Sequence, residues 1–156
     1  FSSTQVNLPK AEADKFSSFA RSFVKKEDIA EDKPDYAEDG FGGKPHITVK
    51  YGLHTNDVAD IQDLFADEKP LTAKLGKTKV FYGKDNGKPY DVVIVEIESP
   101  ELHKLNKKIS DNADVTDTFP TYKPHLTVAY VKAGLGDKYA NNSQFEGQEV
   151  TFNSVE

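Results

Sequence analysis

The residues with the clearest capacity for chemistry lie in a short segment that the chain contains twice. Residues 44–49 have the sequence Lys-Pro-His-Ile-Thr-Val, and residues 123–128 have the sequence Lys-Pro-His-Leu-Thr-Val. The two copies match at five of six positions, and the sixth changes only from isoleucine to leucine. A chain of 156 residues is not expected to contain such a repeat by chance. The repeated histidine and threonine are therefore the first candidates for a functional site.

Each copy lies in a predicted strand, and this determines where its side chains point. Side chains two residues apart in a strand lie on the same face, so His46 forms a pair with Thr48, and His125 with Thr127. If the two strands are close together in a sheet, the two pairs converge on one cleft. An imidazole has an ordinary pKa near 6.5, so one ring can be neutral while the other is protonated.

Two such imidazoles can share the work of breaking a phosphodiester. The neutral ring removes a proton from the attacking hydroxyl or water, and the protonated ring gives one to the leaving oxygen. Each transfer contributes roughly 10²–10⁴-fold. The threonine hydroxyls would donate hydrogen bonds to the non-bridging oxygens, on which negative charge grows. The pattern therefore predicts one catalytic site formed by His46, Thr48, His125 and Thr127.

Cations and an aromatic ring beside the motifs are candidates for substrate binding. Lys50 is predicted on the His46 face, and the other cations near the motifs include Lys44, Lys123 and Lys132. Tyr122, just before the second motif, is the best candidate for stacking on a base. We therefore expect Tyr122, Lys50 and Lys123 to contact the substrate.

Two further tyrosines, Tyr51 and Tyr130, occupy the same position after each motif. Strict alternation along a strand places both on the face opposite the histidines. Core packing is therefore predicted for both in preference to base stacking.

A metal site is not predicted. Zinc sites need three or four protein ligands, and apart from the motif pair only His54 and His103 remain. Neither is placed to complete a cage, so we expect both to be structural and the chain to use no metal or other cofactor.

Hydrophobic periodicity predicts the elements that must position the motifs. Apolar residues three and four apart indicate helices that begin near Pro9 and Pro100, the second capped by Ser99. An Asn-Gly pair at 86–87 indicates a hairpin. The predicted elements are strands over 2–8, 45–51, 71–82, 90–98, 124–131 and 149–155, and helices over 10–25, 57–65 and 100–110.

This order of elements predicts an α+β domain with helices on a largely antiparallel sheet. The polar segment over 26–44 is predicted to be a long loop. Such loops in compact domains are often functional, and we expect this one to close over the ligand.

Composition limits the class of protein and of partner. A length of 156 residues with net charge −6 and no cysteine fits one domain over 1–156. Proteins that grip long nucleic acids usually present a basic surface, so we expect a monomer with a small nucleotide as its partner. No apolar run approaches the ~20 residues of a membrane span, so we expect no membrane partner and a cytoplasmic location. Methionine is absent, so the chain is either processed upstream of Phe1 or a domain of a longer polypeptide.

At the two motifs the chain resembles the 2H phosphoesterase superfamily, whose members carry two His-x-Thr/Ser motifs. The resemblance implies a bilobal, pseudo-symmetric α+β fold with mostly antiparallel sheets and flanking helices. It also implies metal-independent cleavage of a phosphodiester, with His46 and His125 as the acid–base pair and Thr48 and Thr127 as phosphate binders. Family members act on 2′,3′-cyclic phosphate RNA ends, ADP-ribose cyclic phosphate, 2′–5′ oligoadenylates and cyclic oligonucleotides.

More narrowly, the motifs resemble those of the phage-encoded branch of that superfamily. The resemblance is carried by Lys-Pro-His-Ile-Thr-Val-Lys-Tyr-Gly over 44–52 and Tyr-Lys-Pro-His-Leu-Thr-Val-Ala-Tyr over 122–130. This branch includes anti-CBASS phosphodiesterases, which destroy the cyclic nucleotide alarm signals of bacteria. It implies cleavage of small cyclic nucleotides or cyclic oligonucleotides in the cytoplasm of an infected host.

Other functions remain open on the sequence alone. An enzyme for 2′,3′-cyclic phosphate RNA ends or 2′–5′ oligoadenylates is one, although RNA ends favour a more basic cleft mouth. A nucleotide-binding module that sequesters its ligand is another, although both histidines and both threonines are intact. A purely structural role is the least favoured, because a core has no use for outward-facing His/Thr pairs.

Overall fold

The computed structural model describes residues 2–34, 37, 39–53, 71–112 and 121–152. Their strands are β1 (Ser2–Asn7), β2 (His46–Leu53), β3 (Leu71–Phe81), β4 (Tyr90–Glu98), β5 (His125–Lys132) and β6 (Glu149–Phe152). Their α-helices are α1 (Lys10–Phe23), the single turn α2 (Gly83–Asn86) and α3 (Pro100–Asn112). Two short 3-10 helices, Lys26–Asp28 and Gly136–Tyr139, accompany them.

The six strands form one sheet in the order β1-β2-β5-β4-β3-β6, and each strand pair is antiparallel. Strand β4 lies inside the sheet, as its continuous apolar run predicts, and residues 93–95 are buried. An antiparallel sheet with helices packed against it is an α+β architecture. The predicted fold class is confirmed.

The sheet consists of two similar halves. In one half, β1 leads through α1 to β2, which pairs with β1; in the other, β4 leads through α3 to β5, which pairs with β4. The halves meet where β2 pairs with β5, and the one registered position of this pair joins Ile47 to Leu126. The bilobal, pseudo-symmetric arrangement that the family resemblance implies is present.

Helix α1 buries the aromatic stripe that its periodicity predicts. Phe16 and Ala20 are buried, and Phe19 stacks on Phe23 with ring centroids 4.8 Å apart. The ring of Phe145, after β5, lies 4.9 Å from that of Phe19. The stripe is core packing, as predicted.

Helix α3 begins at the predicted cap and buries the predicted side chains. The N–H of Leu102 donates to Oγ of Ser99 at 3.2 Å, which satisfies one of the unpaired donors at the helix start. Leu102, Leu105 and Ile109 are each at most 2% exposed. Burying each such side chain contributes roughly 1.5–3 kcal/mol, so this face fastens α3 to the sheet.

One cluster of buried apolar side chains joins both halves, from Val6 in β1 to Phe152 in β6. It includes the buried residues of α1 and α3, so both helices cover the same face of the sheet. We call this the helix-covered face and the opposite one the open face. A single domain over 1–156 stays a prediction.

The predicted hairpin between β3 and β4 is confirmed, and its connection is a helical turn. Gly87 ends α2 with φ 65°, a left-handed value that glycine adopts without steric cost. The buried carboxylate of Asp91 accepts hydrogen bonds from the N–H of Gly83 at 2.8 Å and from Gly134 and Gly136 at 3.0 Å each. Asp91 therefore ties this connection to the turn after β5.

A buried carboxylate fastens the segment over 26–44. Asp28 is 5% exposed, pairs with Lys138 at 2.6 Å and accepts a hydrogen bond from the hydroxyl of Tyr139. Lys138 first, then Tyr139, lower the pKa of Asp28 below its ordinary value. These contacts hold the start of the segment against the 3-10 helix Gly136–Tyr139.

Some predictions lie outside the described residues. They are the helix over 57–65, the structural role of His54 and the last residues of the final strand. In the described part of the chain, no helix is long and apolar enough to cross a membrane.

Candidate active site

Both repeated motifs lie where the two halves of the sheet meet. Ile47 and Leu126 pair with each other and are fully buried on the helix-covered face. The histidine and threonine that flank each of them therefore point to the open face. All four of these side chains are partly exposed there.

The antiparallel register brings the four predicted catalytic residues together. The registered pair is Ile47 with Leu126, and continuing it by one residue in each direction sets His46 across from Thr127 and Thr48 across from His125. Residues directly opposite each other have Cβ atoms about 4.5–5.5 Å apart, and diagonal neighbours are about 7–8 Å apart. Each histidine thus lies beside the threonine of the other motif, and the two imidazoles are diagonal neighbours.

The two imidazoles are held by the same kind of hydrogen bond. Nδ1 of His46 lies 2.8 Å from the carbonyl oxygen of Lys44, and Nδ1 of His125 lies 2.8 Å from that of Lys123. A carbonyl oxygen only accepts, so Nδ1 carries a hydrogen in both rings and Nε2 is left for proton exchange. The proline between lysine and histidine restricts the lysine to extended conformations. This restriction helps to aim the carbonyl at the ring.

The surroundings of His125 favour its neutral form. Burial lowers the pKa of His125 below 6.5; the backbone hydrogen bond with Lys123 opposes this, and the charge of His46 adds to it. The ring of Phe81 meets that of His125 edge to face, with centroids 5.0 Å apart, and so keeps water from one side of it. A neutral imidazole with an available Nε2 is suited to accept a proton.

A β-bulge follows Thr48 in β2. Gln5 of β1 pairs with Thr48, whereas the adjacent Thr4 pairs with Lys50, so Val49 is an extra residue. Because a bulge shifts the alternation by one residue, Lys50 lies on the helix-covered face with Thr4, and it is 6% exposed. The prediction that Lys50 shares the face of the motif histidine is wrong. We leave Lys50 out of the proposed site for this reason.

Strand β5 carries the same bulge after Thr127. The pairing with β4 changes register there by one residue, which leaves Val128 extra. Beyond the bulge Tyr130 lies on the face of Thr127, so the predicted opposite face is wrong. Tyr130 is nevertheless 7% exposed and packs on Tyr90 with ring centroids 5.3 Å apart. The side chain of Tyr51 lies outside the described part of the structure.

Tyr122 connects the second motif to the first. Its hydroxyl donates to the carbonyl oxygen of Thr48 at 2.8 Å, and its ring packs on the core cluster and on His103. Burial raises the pKa of Tyr122, so the hydroxyl keeps its proton. Asn106 of α3 donates to the next carbonyl oxygen, that of Val49, at 2.6 Å. We therefore assign Tyr122 to the positioning of β2, and its predicted stacking on a base is not part of the proposal below.

The described end of the segment over 26–44, residues 39–44, lies beside Thr127. The N–H of Tyr130 donates to the carbonyl oxygen of Gly40 at 2.8 Å, so the segment occupies an edge of β5. Gly42 then comes so close that an added Cβ would lie 3.2 Å from Cγ2 of Thr127. The φ of Gly42 is 75°, which also favours glycine.

Helix α1 holds the same segment from the other side. Arg21 pairs with Asp39 at 2.5 Å and lies 4.7 Å from the centroid of the Phe41 ring. Both members of the ion pair are about half exposed, and such pairs contribute only about 0–1 kcal/mol. Closure of this segment over a ligand stays a prediction.

The lysines that open the motifs act in the structure through their backbone. The carbonyl oxygens of Lys44 and Lys123 hold the two imidazoles, while both residues are exposed. A contact between the ammonium group of Lys123 and a substrate stays a prediction.

Sequence reasoning missed Asn106 and Phe81. Asn106 lies one helical turn after Leu102, within the apolar stripe of α3, and an amide in such a stripe signals a buried hydrogen bond. Phe81 has no local signal, because its contact with His125 depends on the pairing of β3 with β4 and of β4 with β5.

The described residues contain no group of three or more His, Cys, Asp or Glu side chains that could hold a metal ion. The two imidazoles and two hydroxyls on the open face offer proton transfer and hydrogen bonding. Chemistry without a metal or other cofactor stays a prediction, and the proposal below adopts it.

Comparison with known proteins places the chain in a family. The model of the 2′-5′ RNA ligase superfamily matches residues 35–140, which is well over half of the chain and includes both motifs. No curated protein matches the sequence. The resemblance to 2H phosphoesterases is confirmed at this level. The chain belongs to the 2′-5′ RNA ligase superfamily.

Proposed function

We propose that the chain is a metal-independent phosphodiesterase that cleaves small cyclic nucleotides or cyclic oligonucleotides. The convergence of two His/Thr pairs on the open face carries this proposal. In each pair Nδ1 is engaged by a carbonyl oxygen and Nε2 is left for proton exchange. Membership of the superfamily supports phosphodiester chemistry.

In the proposed reaction His125 is the base and His46 is the acid. Nε2 of His125 takes the proton of the attacking water or ribose hydroxyl while the oxygen bonds to phosphorus. The bond from phosphorus to the leaving oxygen breaks, and Nε2–H of His46 protonates that oxygen. Water gives a phosphomonoester and a free hydroxyl, and a ribose hydroxyl gives a cyclic phosphate and a free hydroxyl. The lowered pKa of His125 supports its role as base.

The hydroxyls of Thr48 and Thr127 donate to the non-bridging oxygens of the phosphate. Each lies beside the histidine of the other motif by register, so both sides of the phosphorus have a donor and a proton-transfer group. Donors of this kind act where charge grows in the transition state, and losing one typically lowers kcat about 10²–10³-fold.

The substrate side of the proposal rests on charge and on the motifs. A net charge of −6 supports a small ligand rather than a long nucleic acid. The resemblance of the motifs to phage-encoded anti-CBASS enzymes extends the proposal to bacterial immune second messengers. The site of action would then be the cytoplasm of an infected host.

A second candidate is favoured by the description of the matching family, which refers to 2′-5′ RNA. The same four side chains would then act on 2′–5′ oligoadenylates or on 2′,3′-cyclic phosphate ends of RNA. A module that binds a nucleotide without turnover is the third reading, and a turnover measurement separates it from the other two.

The test is chromatography of a substrate panel incubated with limiting protein in EDTA. The panel holds 3′,3′ and 2′,3′ cyclic dinucleotides, a cyclic trinucleotide, 2′,3′-cyclic mononucleotides and a 2′–5′ oligoadenylate. His46→Ala and His125→Ala test the two proton-transfer roles. Lys107→Ala is the control, because it removes an exposed side chain of α3 whose ion pair, with Asp111 at 2.9 Å, lies outside the site.

Multiple turnover of the cyclic oligonucleotides, lost in both site variants and kept in the control, is the expected result. Turnover confined to the mononucleotide or the 2′–5′ compound would favour the second candidate. Binding without turnover would leave a sequestering module. Near wild-type turnover by either site variant would overturn the two-histidine mechanism, and strong loss with EDTA would overturn the metal-independent one.

A further inference from the structure

A row of paired residues crosses the open face from β5 to β3. Thr127 pairs with Ile94, and Ile94 pairs with Lys79. Residues directly paired across strands lie on the same face, so Lys79 lies two strand spacings, about 10 Å, from Thr127. Ile94 between them is 2% exposed and lies outside the core cluster of the helix-covered face. The row thus has a phosphate donor at one end, a buried apolar side chain in the middle and a cation at the other end.

No neighbour in the described part of the chain compensates the charge of Lys79. Lys79 is exposed, and among the described residues it has no ion pair or hydrogen bond. The other lysines of β3 have carboxylates nearby. Lys77 lies 3.8 Å from Glu146, and Lys74 pairs across the sheet with Glu98. A lysine binds phosphate as a compact charge on a flexible stem, so Lys79 can reach along the row.

Phe81 adds an aromatic ring to the open face, next to Lys79. It is two residues from Lys79 in β3 and therefore on the same face. Its ring is partly exposed and touches the imidazole of His125, so side chains of β3 reach the proposed catalytic residues. Aromatic rings stack on nucleobases largely without regard to base identity.

The open face carries a negative charge near His125 and a positive charge at Lys79. Glu96 pairs with His125 and is exposed, so it repels a second phosphate group from its own side. Lys79, beside Ile94 and further along the strands, attracts that group. A substrate with two phosphates is therefore expected to extend from the histidines toward Lys79.

We propose that Lys79 and Phe81 form a second subsite, in which Lys79 binds a non-scissile phosphate and Phe81 stacks on the adjoining base. The inference rests on the proposed function, because it requires the scissile phosphate to lie between His46 and His125. The substrate class is then a nucleotide with at least two phosphate groups. Cyclic dinucleotides and 2′–5′ oligonucleotides belong to it, and cyclic mononucleotides do not.

The test compares one-phosphate and two-phosphate substrates in matched lysine variants. Lys79→Gln removes the proposed contact, and Lys74→Gln removes the same charge from the same strand. A bulge between Leu75 and Thr78 puts Lys74, opposite Glu98, on the same face as Lys79, opposite Ile94, about 13 Å further along. A contact made equally in the ground state and the transition state changes KM rather than kcat. We expect Lys79→Gln to raise KM for a cyclic dinucleotide about tenfold, as loss of a charge-assisted hydrogen bond does. Its kcat/KM ratio of dinucleotide to 2′,3′-cyclic mononucleotide falls by the same factor, and Lys74→Gln leaves that ratio unchanged.

The aromatic contact is tested with two variants of similar size. Phe81→Tyr keeps a ring for stacking, and Phe81→Leu keeps an apolar side chain without one. We expect only the leucine variant to lower the dinucleotide to mononucleotide ratio, by about fivefold to tenfold. Equal ratios in the two variants would remove Phe81 from the subsite.

The outcomes distinguish this inference from the proposed function. Equal effects of Lys79→Gln and Lys74→Gln on the kcat/KM ratio would show a general charge effect and overturn the subsite. A wild-type protein with a higher kcat/KM for the mononucleotide than for the dinucleotide would also overturn it. If the wild type turns over no phosphodiester, the proposed function fails, and calorimetric Kd values for a non-hydrolysable phosphorothioate cyclic dinucleotide decide the subsite. A Kd about tenfold weaker in Lys79→Gln than in Lys74→Gln supports it, and equal values or no binding overturn it.

Discussion

Replacing Tyr122 by phenylalanine removes one oxygen atom and tests how the two motifs are held together. The hydroxyl of Tyr122, three residues before His125, donates to the carbonyl oxygen of Thr48 at 2.8 Å. The substitution keeps the ring and its contacts with the core cluster. What is lost is one hydrogen bond between the segment before β5 and the strand β2.

The structure sets the size of the expected effects. A hydrogen bond of this kind contributes about 0.5–1.5 kcal/mol, and a buried acceptor left unpaired costs about 1–3 kcal/mol. Tyr122 is partly buried, so we expect the free energy of unfolding to fall by about 1–2 kcal/mol. For a chain of this size that lowers Tm by about 2–8 °C. The backbone of Thr48 loses this hydrogen bond and keeps its pairing with Gln5, and misplacing a phosphate donor should lower kcat about tenfold or more.

The assay is steady-state kinetics well below Tm, with thermal unfolding of the same samples. Thr78→Val is the matched control, since its buried hydroxyl donates to the carbonyl oxygen of Tyr139 at 2.6 Å and accepts from the N–H of Asn142 at 2.8 Å. These bonds do not involve either motif, and valine keeps the shape of the side chain. We expect the control to lose at least as much stability as Tyr122→Phe and to keep its kcat.

Two results would refute this reasoning. A kcat unchanged in Tyr122→Phe would show that the hydroxyl does not position Thr48. An equal loss of kcat in Thr78→Val would show that activity follows stability in general.

Three further predictions follow from the surroundings of the site and from the fold. The kcat/KM for a cyclic mononucleotide should rise with pH through a value below 6.5, as the proposed base loses its proton. In Phe81→Ala the midpoint of this rise should move to higher pH, because water then stabilises the imidazolium of His125. An unchanged midpoint in the pH–rate profile would contradict this prediction. Gly42→Ala should cost about 1–2 kcal/mol in stability and lower kcat, because its Cβ presses on Thr127. Gly147→Ala has a similar positive φ with nothing within 4 Å, so it should lose stability alone, and equal kcat losses would exclude the contact. The pKa of Asp28 is lower in the folded protein than its ordinary value of 3.8. Its ionised carboxylate therefore stabilises the fold above pH 3.8, and this stability is lost as the pH falls through the folded-state pKa. Asp28→Asn should flatten the acid side of a plot of Tm against pH, and an unchanged slope would contradict it.

Local pattern was sufficient to predict the six strands, the helices α1 and α3, and the position of both motifs. The alternation of β2 and β5 before the bulge, the spacing of Leu102, Leu105 and Ile109, and the cap at Ser99 act within a few residues. Periods of two and 3.6 residues decide such features without knowledge of the partner. The site histidines were recognisable for the same reason, since the repeat itself marked them.

Longer-range features did not follow from alternation. The bulges after Thr48 and Thr127 arise from pairing with β1 and β4, and they reversed the predicted faces of Lys50 and Tyr130. A one-residue change in register moves every later side chain to the other face, and no single strand shows that change by itself.

The sequence by itself determined that two imidazoles and two hydroxyls are presented in pairs on strands, because a strand alternates wherever it is placed. Only the tertiary structure decided that the pairs meet across the Ile47–Leu126 pair, and that Tyr122 serves β2 through its hydroxyl. Only the tertiary structure brought Phe81 against His125. These contacts join residues tens of positions apart, and which of them form depends on how whole strands and helices pack together.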